Sequence, residues 1–422
     1  MTACRVRIPF AILLACAWAG RAEAQSAPTC AFDPATAAVT VTVDGQAAEL
    51  RAPVGTGEIL LDGVSCGGAT VLNTDSIQVN GGSLSDSVTL VGRFAPGLTP
   101  EASGGSEIEI AFALGESSGP WDGVTLTLTQ RRDVLTFTSD GIDVGNDLDR
   151  DIFMAGVDGL VIDALGGNDR IDAAAYTGMP GGVAVTIWGG SGQDVLIGSS
   201  VLLNHLYGEE DGDVLRGGDG NDRIDGGPGD DVMFGRGGHD SFHSEGAMDG
   251  ADDMRGGDGS DTVLYSFRPT AVTVTIGDDT QPDGEAGEGD TVRNDVENVR
   301  GGNGPNVLVG NAAANELYGG PTADELYGGG GNDLLVGSTG ADMLFGDAGA
   351  DQLLGHAGPD VLYGGDGADI LQGDEGRDDF FGEGGNDRIR NEDGVAEKVN
   401  CGPGPADDAE PDPLDTFIGC EL

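Results

Sequence analysis

The sequence is short of positive charge. It sets 20 Lys and Arg, with Lys398 the single lysine, against 73 Asp and Glu, for a net charge of −53 over 422 residues. A chain so acidic repels nucleic acid, and it repels an anionic membrane surface unless cations bridge the two. Beyond the N-terminus no apolar run approaches the roughly 20 residues of a membrane-spanning helix, so no transmembrane segment is expected in the mature chain. Long amphipathic helical stretches are missing too. Histidine occurs four times (His205, His239, His243, His356) and never as H-E-x-x-H, which removes the zinc-protease pattern. His239 and His243 stand four apart, but in a loop-and-strand context and not on a helix. High charge with few aromatics usually means disorder, and here aromatics are 5% of the chain.

Glycine supplies the counter-argument, with 77 copies, many of them in phase. From 301 to 390 the chain keeps a nine-residue period through Asn306, Asn315, Asp324, Asp333, Asp342, Asp351, Asp360, Asp369, Asp378 and Asp387. A glycine lies five residues before each, and a large apolar residue two residues after each, Leu308 through Ile389. An earlier block holds Asp194, Asp213, Asp222, Asp231 and Asp240, and after a three-residue slip Asp252 and Asp261. Disorder does not hold ten apolar side chains in register with ten acids or amides. A fixed short period means one structural unit stacked many times.

GGDGADILQ (364–372) shows how the unit works. Six residues form a glycine-rich loop. Three more form a short strand whose middle side chain, Leu371, points inward while Ile370 and Gln372 point out. Glycine permits positive φ, so the loop can curl until carbonyl oxygens share a focus with the aspartate. Such a cage of hard oxygens suits calcium, which takes six to eight oxygen ligands, and not zinc, whose Cys and His ligands do not recur. One buried leucine per nine ordered residues is little apolar gain, and stacked aspartates repel until divalent ions neutralise them. Ion binding and folding are therefore expected to be linked.

At these residues the chain resembles the RTX, or haemolysin-type, calcium-binding repeat proteins. GGSGQDVLI (189–197) and GGDGNDRID (217–225) match the nonapeptide throughout, and LGGNDRID (165–172) is a worn copy centred on Asp169. The resemblance implies a parallel β-roll with two nonapeptides per turn and calcium between loops on the same side. Asp324 then shares an ion with the loop of Asp342, Asp333 with that of Asp351, Asp213 with Asp231, and Asp222 with Asp240. Asn306 and Asn315 lack the charge, and Ala313 and Thr322 replace the fourth-position glycine, so those loops depart from the pattern.

The expected organisation is a secretory signal at 1–24, a β-rich region at 25–160, a first repeat block at 161–264, a non-repeat β insert at 265–300, a second block at 301–390, and a disulfide-closed cap at 391–422. The signal rests on Arg5 and Arg7, the apolar stretch 8–19 and the Ala22-Glu23-Ala24 site. Leu13-Leu14-Ala15-Cys16 also resembles a lipoprotein cleavage box, which would leave Cys16 lipidated, although the apolar stretch before it is short. Cleavage after Ala24 leaves Cys30, Cys66, Cys401 and Cys420 and a charge near −55. Three pairings are formally open. Cys30 with Cys66 and Cys401 with Cys420 are expected, because each pair is local to one end and caps a terminus.

The front region alternates like short strands (VTVTV at 39–43, EIEIAFAL, VTLTL, VLTFTS) and passes into the repeats without a Pro- or Ser-rich linker. It fits a degenerate solenoid better than a β-sandwich. Within the insert, AVTVTI (271–276) and GDTVRNDVENVRGG read as strands of a longer coil, and DDTQPDGEAGEGD between them as a projecting loop. The fold class is thus all-β, a parallel β-roll or right-handed parallel β-helix solenoid.

No catalytic motif emerges. Gly115-Glu116-Ser117-Ser118-Gly119 matches G-x-S-x-G, but Gly119 and Pro120 cannot open the helix that a nucleophile elbow needs. The expectation is a secreted, non-catalytic protein that binds several Ca2+ ions and has a structural or adhesive role, meeting extracellular polysaccharide or a cell surface through calcium. The alternative is a polysaccharide-modifying lyase or epimerase carrying the repeats as a folding module. It would draw on Asp140, Asp143, Asp147, Asp149 and Asp151 with Arg131, Arg132 and Arg150, whose ordinary reading is solvated turn residues.

Overall fold

The computed structural model describes residues 28–33, separate strands between 38 and 155, and 159–420 except 178–183, 245–248, 279, 281, 391–393, 405–406 and 411–413. The signal sequence, the G-x-S-x-G stretch and the side chains of the acids and arginines at 131–151 lie outside the described residues. Every element among the described residues is a strand.

Two strand ladders run along the molecule. One is unbroken from the front region to the C-terminus. It stacks Ala47–Ala52, Ser87–Gly92, Gly123–Thr127 and Gly159–Asp163 in parallel, then every second repeat strand from Ala184–Ser191 to Asp408–Glu410. Its terminal strands, Val64–Thr70 and Asp408–Glu410, do not pair with each other, so it is an open ladder. The opposite face is built in two parts. A 13-stranded sheet covers it from Thr29–Asp33 to Thr291–Val292, and a 9-stranded sheet continues it to Thr416–Ile418.

The front region is therefore solenoidal. Ala38–Thr42, Ser76–Asn80, Glu109–Ala113 and Ile152–Ala155 are parallel neighbours, which a sandwich of antiparallel sheets would not give. Antiparallel pairing enters where the stack begins, at Thr29–Asp33 with Ala38–Thr42, and where the front strands hand over to the repeats, at Val134–Thr138 with Gly141–Val144. Strand length separates the two regions. The five-residue strand Ala38–Thr42 buries Val39 and Val41, whereas repeat strands are as short as three residues and bury one side chain, as in Val214–Arg216, or two, as in Val195–Ile197.

The core is a file of single side chains. Leu196, Leu215, Met233 and Met254 from one face meet Leu206, Ile224, Phe242 and Val263 from the other, all without solvent exposure. In the second block Leu308, Leu326, Leu344 and Leu362 meet Leu317, Leu335, Leu353 and Leu371 in the same way. Outside, rings stack along the axis in that block: Tyr327, Phe345, Tyr363 and Phe381 follow one another with centroids 4.7, 4.8 and 4.7 Å apart, the spacing of neighbouring strands. The disulfides Cys30–Cys66 and Cys401–Cys420 join the chain near its two ends, matching the expected pairs.

The insert does form an additional coil. Val272–Thr275 joins the 9-stranded sheet beside Val307–Val309, with Gly284–Glu285 antiparallel at its edge, while Thr291–Val292 ends the 13-stranded sheet beside Asp253 and Met254. The expected projecting acidic loop is only partly exposed: Thr280, Pro282, Ala286 and Gly287 face solvent, whereas acids of its second part turn inward. Asp283 and Asp290 are buried on backbone N–H groups and the Tyr265 hydroxyl, and the Glu288 side chain is fully covered against the buried Arg268.

Candidate metal centre

Each nonapeptide loop delivers its aspartate to the same place, the bend just before an inward-pointing strand. Two parallel rows result, one on each edge of the solenoid, with members 18 residues apart in the second block. The link is the same at nearly every rung: one oxygen of the carboxylate accepts the backbone N–H of the aspartate one turn earlier. Asp342 Oδ1 accepts from Asp324 N at 2.9 Å, Asp351 from Asp333 at 2.8 Å, Asp231 from Asp213 at 2.6 Å and Asp240 from Asp222 at 2.7 Å. The pairs that the resemblance joins are thus neighbours along each row. Asp360, Asp369, Asp378 and Asp387 continue the second block, and Asp194, Asp252 and Asp261 the first.

The second carboxylate oxygen is what makes the rows chemically unusual. In Asp194, Asp213, Asp231, Asp240, Asp261, Asp324, Asp333, Asp342, Asp351, Asp360, Asp369 and Asp387 the Oδ2 atom is buried without a hydrogen-bond partner. A buried acceptor left unpaired is costly, and a buried anion more so. Asp222 differs, since its Oδ2 accepts the Gly218 N–H at 2.6 Å.

The loop glycines converge on these atoms. A Cβ on Gly364 would lie 2.7 Å from both Asp369 Oδ2 and the Gly382 carbonyl oxygen, so the first glycine of the repeat leaves open a space lined by oxygens. The fourth-position glycine has a different duty. Gly385 adopts φ of +146° and passes directly over the Gly367 carbonyl, where no Cβ fits. Carboxylate oxygen plus carbonyl oxygen, with room that a methyl would fill, is the donor set of a hard cation such as Ca2+. Among the described residues no three His, Cys, Asp or Glu side chains gather as a compact metal cluster, so the loops contribute backbone oxygens alongside single carboxylates. His239 and His243 are no exception: His239 Nδ1 faces the Ser260 backbone and His243 Nε2 the Ser241 hydroxyl.

Burial pushes these carboxyls upward, and like charges in the row add to it. Asp213 is pushed up to about 8, first by desolvation and then by Asp231, Asp194 and Asp211, against the lowering effect of its backbone hydrogen bond. Asp252 reaches about 9 and Asp342 and Asp369 about 7, again with desolvation as the first cause. The rows favour a cation, whether protons or a divalent ion.

Several members of the rows escape the nonapeptide pattern. Asn204 occupies an aspartate position ten residues after Asp194. Its Nδ2 donates to the Ser199 and Leu202 carbonyls and to Asp222 Oδ1. Only Leu206, two residues on, signalled that rung in the sequence. Asn306 does the same in the second block, donating from Nδ2 to the Gly302 and Gly319 carbonyls and to Asp324 Oδ1. Asp290, Glu297, Glu397, Asp407 and Asp415 also take row positions, each accepting the N–H of the rung before, although none sits in a full nonapeptide. The worn copy at Asp169 is a true rung, because its N–H donates to Asp194 Oδ1.

A family model described as the RTX calcium-binding nonapeptide repeat (4 copies) matches residues 184–200, 207–242, 247–263, 300–335, 327–362 and 354–389. No curated protein matches the chain. The gaps between matched segments fall at the ten-residue step to Asn204, in the stretch of the slip between Asp240 and Asp252, and across most of the 265–300 coil. Residues 184–389 carry RTX calcium-binding nonapeptide repeats on a parallel β-solenoid, and the chain is a calcium-binding repeat protein.

Proposed function

We propose that the protein is secreted and folds into a stiff rod by taking up several calcium ions at its loop aspartates, serving a structural or adhesive role outside the cell. The observation that carries this reading is the row of buried carboxylate oxygens that no protein group satisfies. The ligands are Asp194, Asp213, Asp222, Asp231, Asp240, Asp252 and Asp261 in the first block, and Asp324, Asp333, Asp342, Asp351, Asp360, Asp369, Asp378 and Asp387 in the second. Each supplies one carboxylate, and loop carbonyls complete the shell. Two disulfides and the N-terminal signal pattern support an oxidising, extracellular setting, where calcium reaches the concentration that weak modular sites require, about 10⁻⁴–10⁻³ M.

Among the described residues no helix is long and apolar enough to cross a membrane. A rod with an acidic exterior meets polysaccharide or a cell surface through shared calcium ions, which is the adhesive part of the reading. Calorimetric titration of purified protein with calcium, with magnesium as control, tests it. Saturable heat with calcium that disappears in excess chelator is expected; no heat beyond dilution would remove the reading.

A further inference from the structure

At the coil between the two blocks protein donors reach the buried carboxylates of Asp249, Asp283, Glu288 and Asp290, while Glu285 Oε1 and Asp295 Oδ1 stay buried without a hydrogen bond. Arg268 is fully buried, and its guanidinium is spent on protein partners. Nε donates to the Ser244 carbonyl at 2.8 Å, Nη2 to the Ser244 hydroxyl and Asp249 Oδ1, and Nη1 to Glu288 Oε1, with Glu285 Oε1 3.9 Å away. Tyr265 packs beneath the guanidinium and donates its hydroxyl to Asp290 Oδ2 at 2.9 Å, while Asp290 Oδ1 accepts the Asp252 N–H. Asp283 accepts from Thr275 N at 2.7 Å and Val292 N at 2.8 Å, one bond to each oxygen. On the far side Asn306 puts an amide N–H where other rungs leave an unpaired oxygen, and Asn315 donates to the Glu297 carbonyl.

Apolar packing follows the same division. Val272, Val274 and Ile276 place three buried side chains on one short stretch, and Val292, Val296, Val299 and Tyr265 lie against them. A nonapeptide strand in the second block buries one or two. The coil thus has a denser core and a cation of its own.

We infer that Arg268 is the fixed cation of a calcium-independent joint, formed by residues 265–315 together with Ser244 and Asp249 of the coil before it, from which the calcium-dependent coils grow in both directions. The inference rests on the calcium reading above for the flanking coils but not for the joint itself. Between the blocks the guanidinium takes the place that a metal ion takes in the loops. Its consequence is a defined starting point: when calcium rises, the rungs at Asp261 and Asp324 find a folded neighbour to stack on, so each new coil adds to an existing edge and does not need to nucleate alone.

Hydrogen exchange of the full chain, read by mass spectrometry in chelator and in saturating calcium, tests this. In chelator, amides at Asn298–Arg300 are expected to exchange at least about tenfold more slowly than those at Gln352–Ala357, with the difference closing when calcium is added. Equal, fast exchange of both segments in chelator overturns the joint while leaving calcium-linked folding intact. Slow exchange of both in chelator overturns calcium-linked folding and, with it, the joint as a growth point. Arg268→Ala supplies the second arm. It should abolish protection of the joint in chelator, and millimolar methylguanidinium should restore it. If the variant keeps wild-type protection in chelator, or if calcium alone and not methylguanidinium restores the joint, Arg268 is not its cation.

Discussion

The two repeat blocks reach the same interior through different exteriors. In the second block the period never slips, and the outer face of the 9-stranded sheet carries stacked rings at strand spacing. In the first block the period is broken twice, and arginines cover the outer rings: Arg216 and Arg255 lie over Phe234, and Arg223 over Tyr207. The inward residue and the linked carboxylates are common to both. The solenoid therefore depends on the loop carboxylates and the single core side chain, while outward positions are free to vary.

That comparison can be broken at the loops first. Asp342→Ala with Asp360→Ala removes two successive members of one row. The calcium midpoint for folding, followed by circular dichroism, should rise about tenfold or more, since even outer partners of metal ligands are worth about 10–100-fold. An unchanged midpoint would separate the row from calcium.

Asn306→Ala should act in the opposite manner. It removes an amide with three acceptors, so thermal stability should fall by about 1–3 kcal/mol at every calcium concentration, with little change in the calcium midpoint. A shift like that of the double aspartate variant would show that the Asn rung also holds an ion.

Acid should partly replace calcium. The row carboxyls have folded values raised above the usual 3.8, from about 6 at Asp324 to about 9 at Asp252, so the folded chain binds more protons than the unfolded one. In chelator, stability is then greatest below about pH 4 and is lost as pH rises through 6 to 9. Melting in chelator at pH 5 and pH 8 checks the sign: higher melting at pH 8 contradicts it. The smallest expected effect is at the exterior. Phe345→Ala interrupts the ring stack and should cost about 0.5–1.5 kcal/mol beyond lost burial, with the calcium midpoint unchanged.

Much of this was readable from the chain because the repeat ties chemistry to position. A nine-residue period with an apolar residue two after each acid points to the inward leucines, and the resemblance to the RTX repeats adds the two carboxylate rows. Cysteine placement near the two ends favoured the two pairs among the three pairings formally open. What stayed hidden has a common cause, which is that the period is a property of loops and not of rows. Asn204 follows a ten-residue step, and Asp290, Glu297 and Asp407 enter the rows from loops of other lengths, so only the stacking of strands reveals them. The acidic run of the insert reads as solvated because acids usually are. The burial of Glu288 follows from Arg268, and that of Asp283 and Asp290 from distant backbone N–H groups and the Tyr265 hydroxyl, partners that no local pattern announces.

The most direct test of calcium-linked folding is the far-ultraviolet circular dichroism and melting temperature of the mature, disulfide-intact chain in chelator, repeated across a calcium titration at neutral pH. A strand signal that grows with calcium to a plateau, with melting temperature rising alongside it, is the expected result. The same spectrum and melting temperature in chelator and in saturating calcium would contradict it.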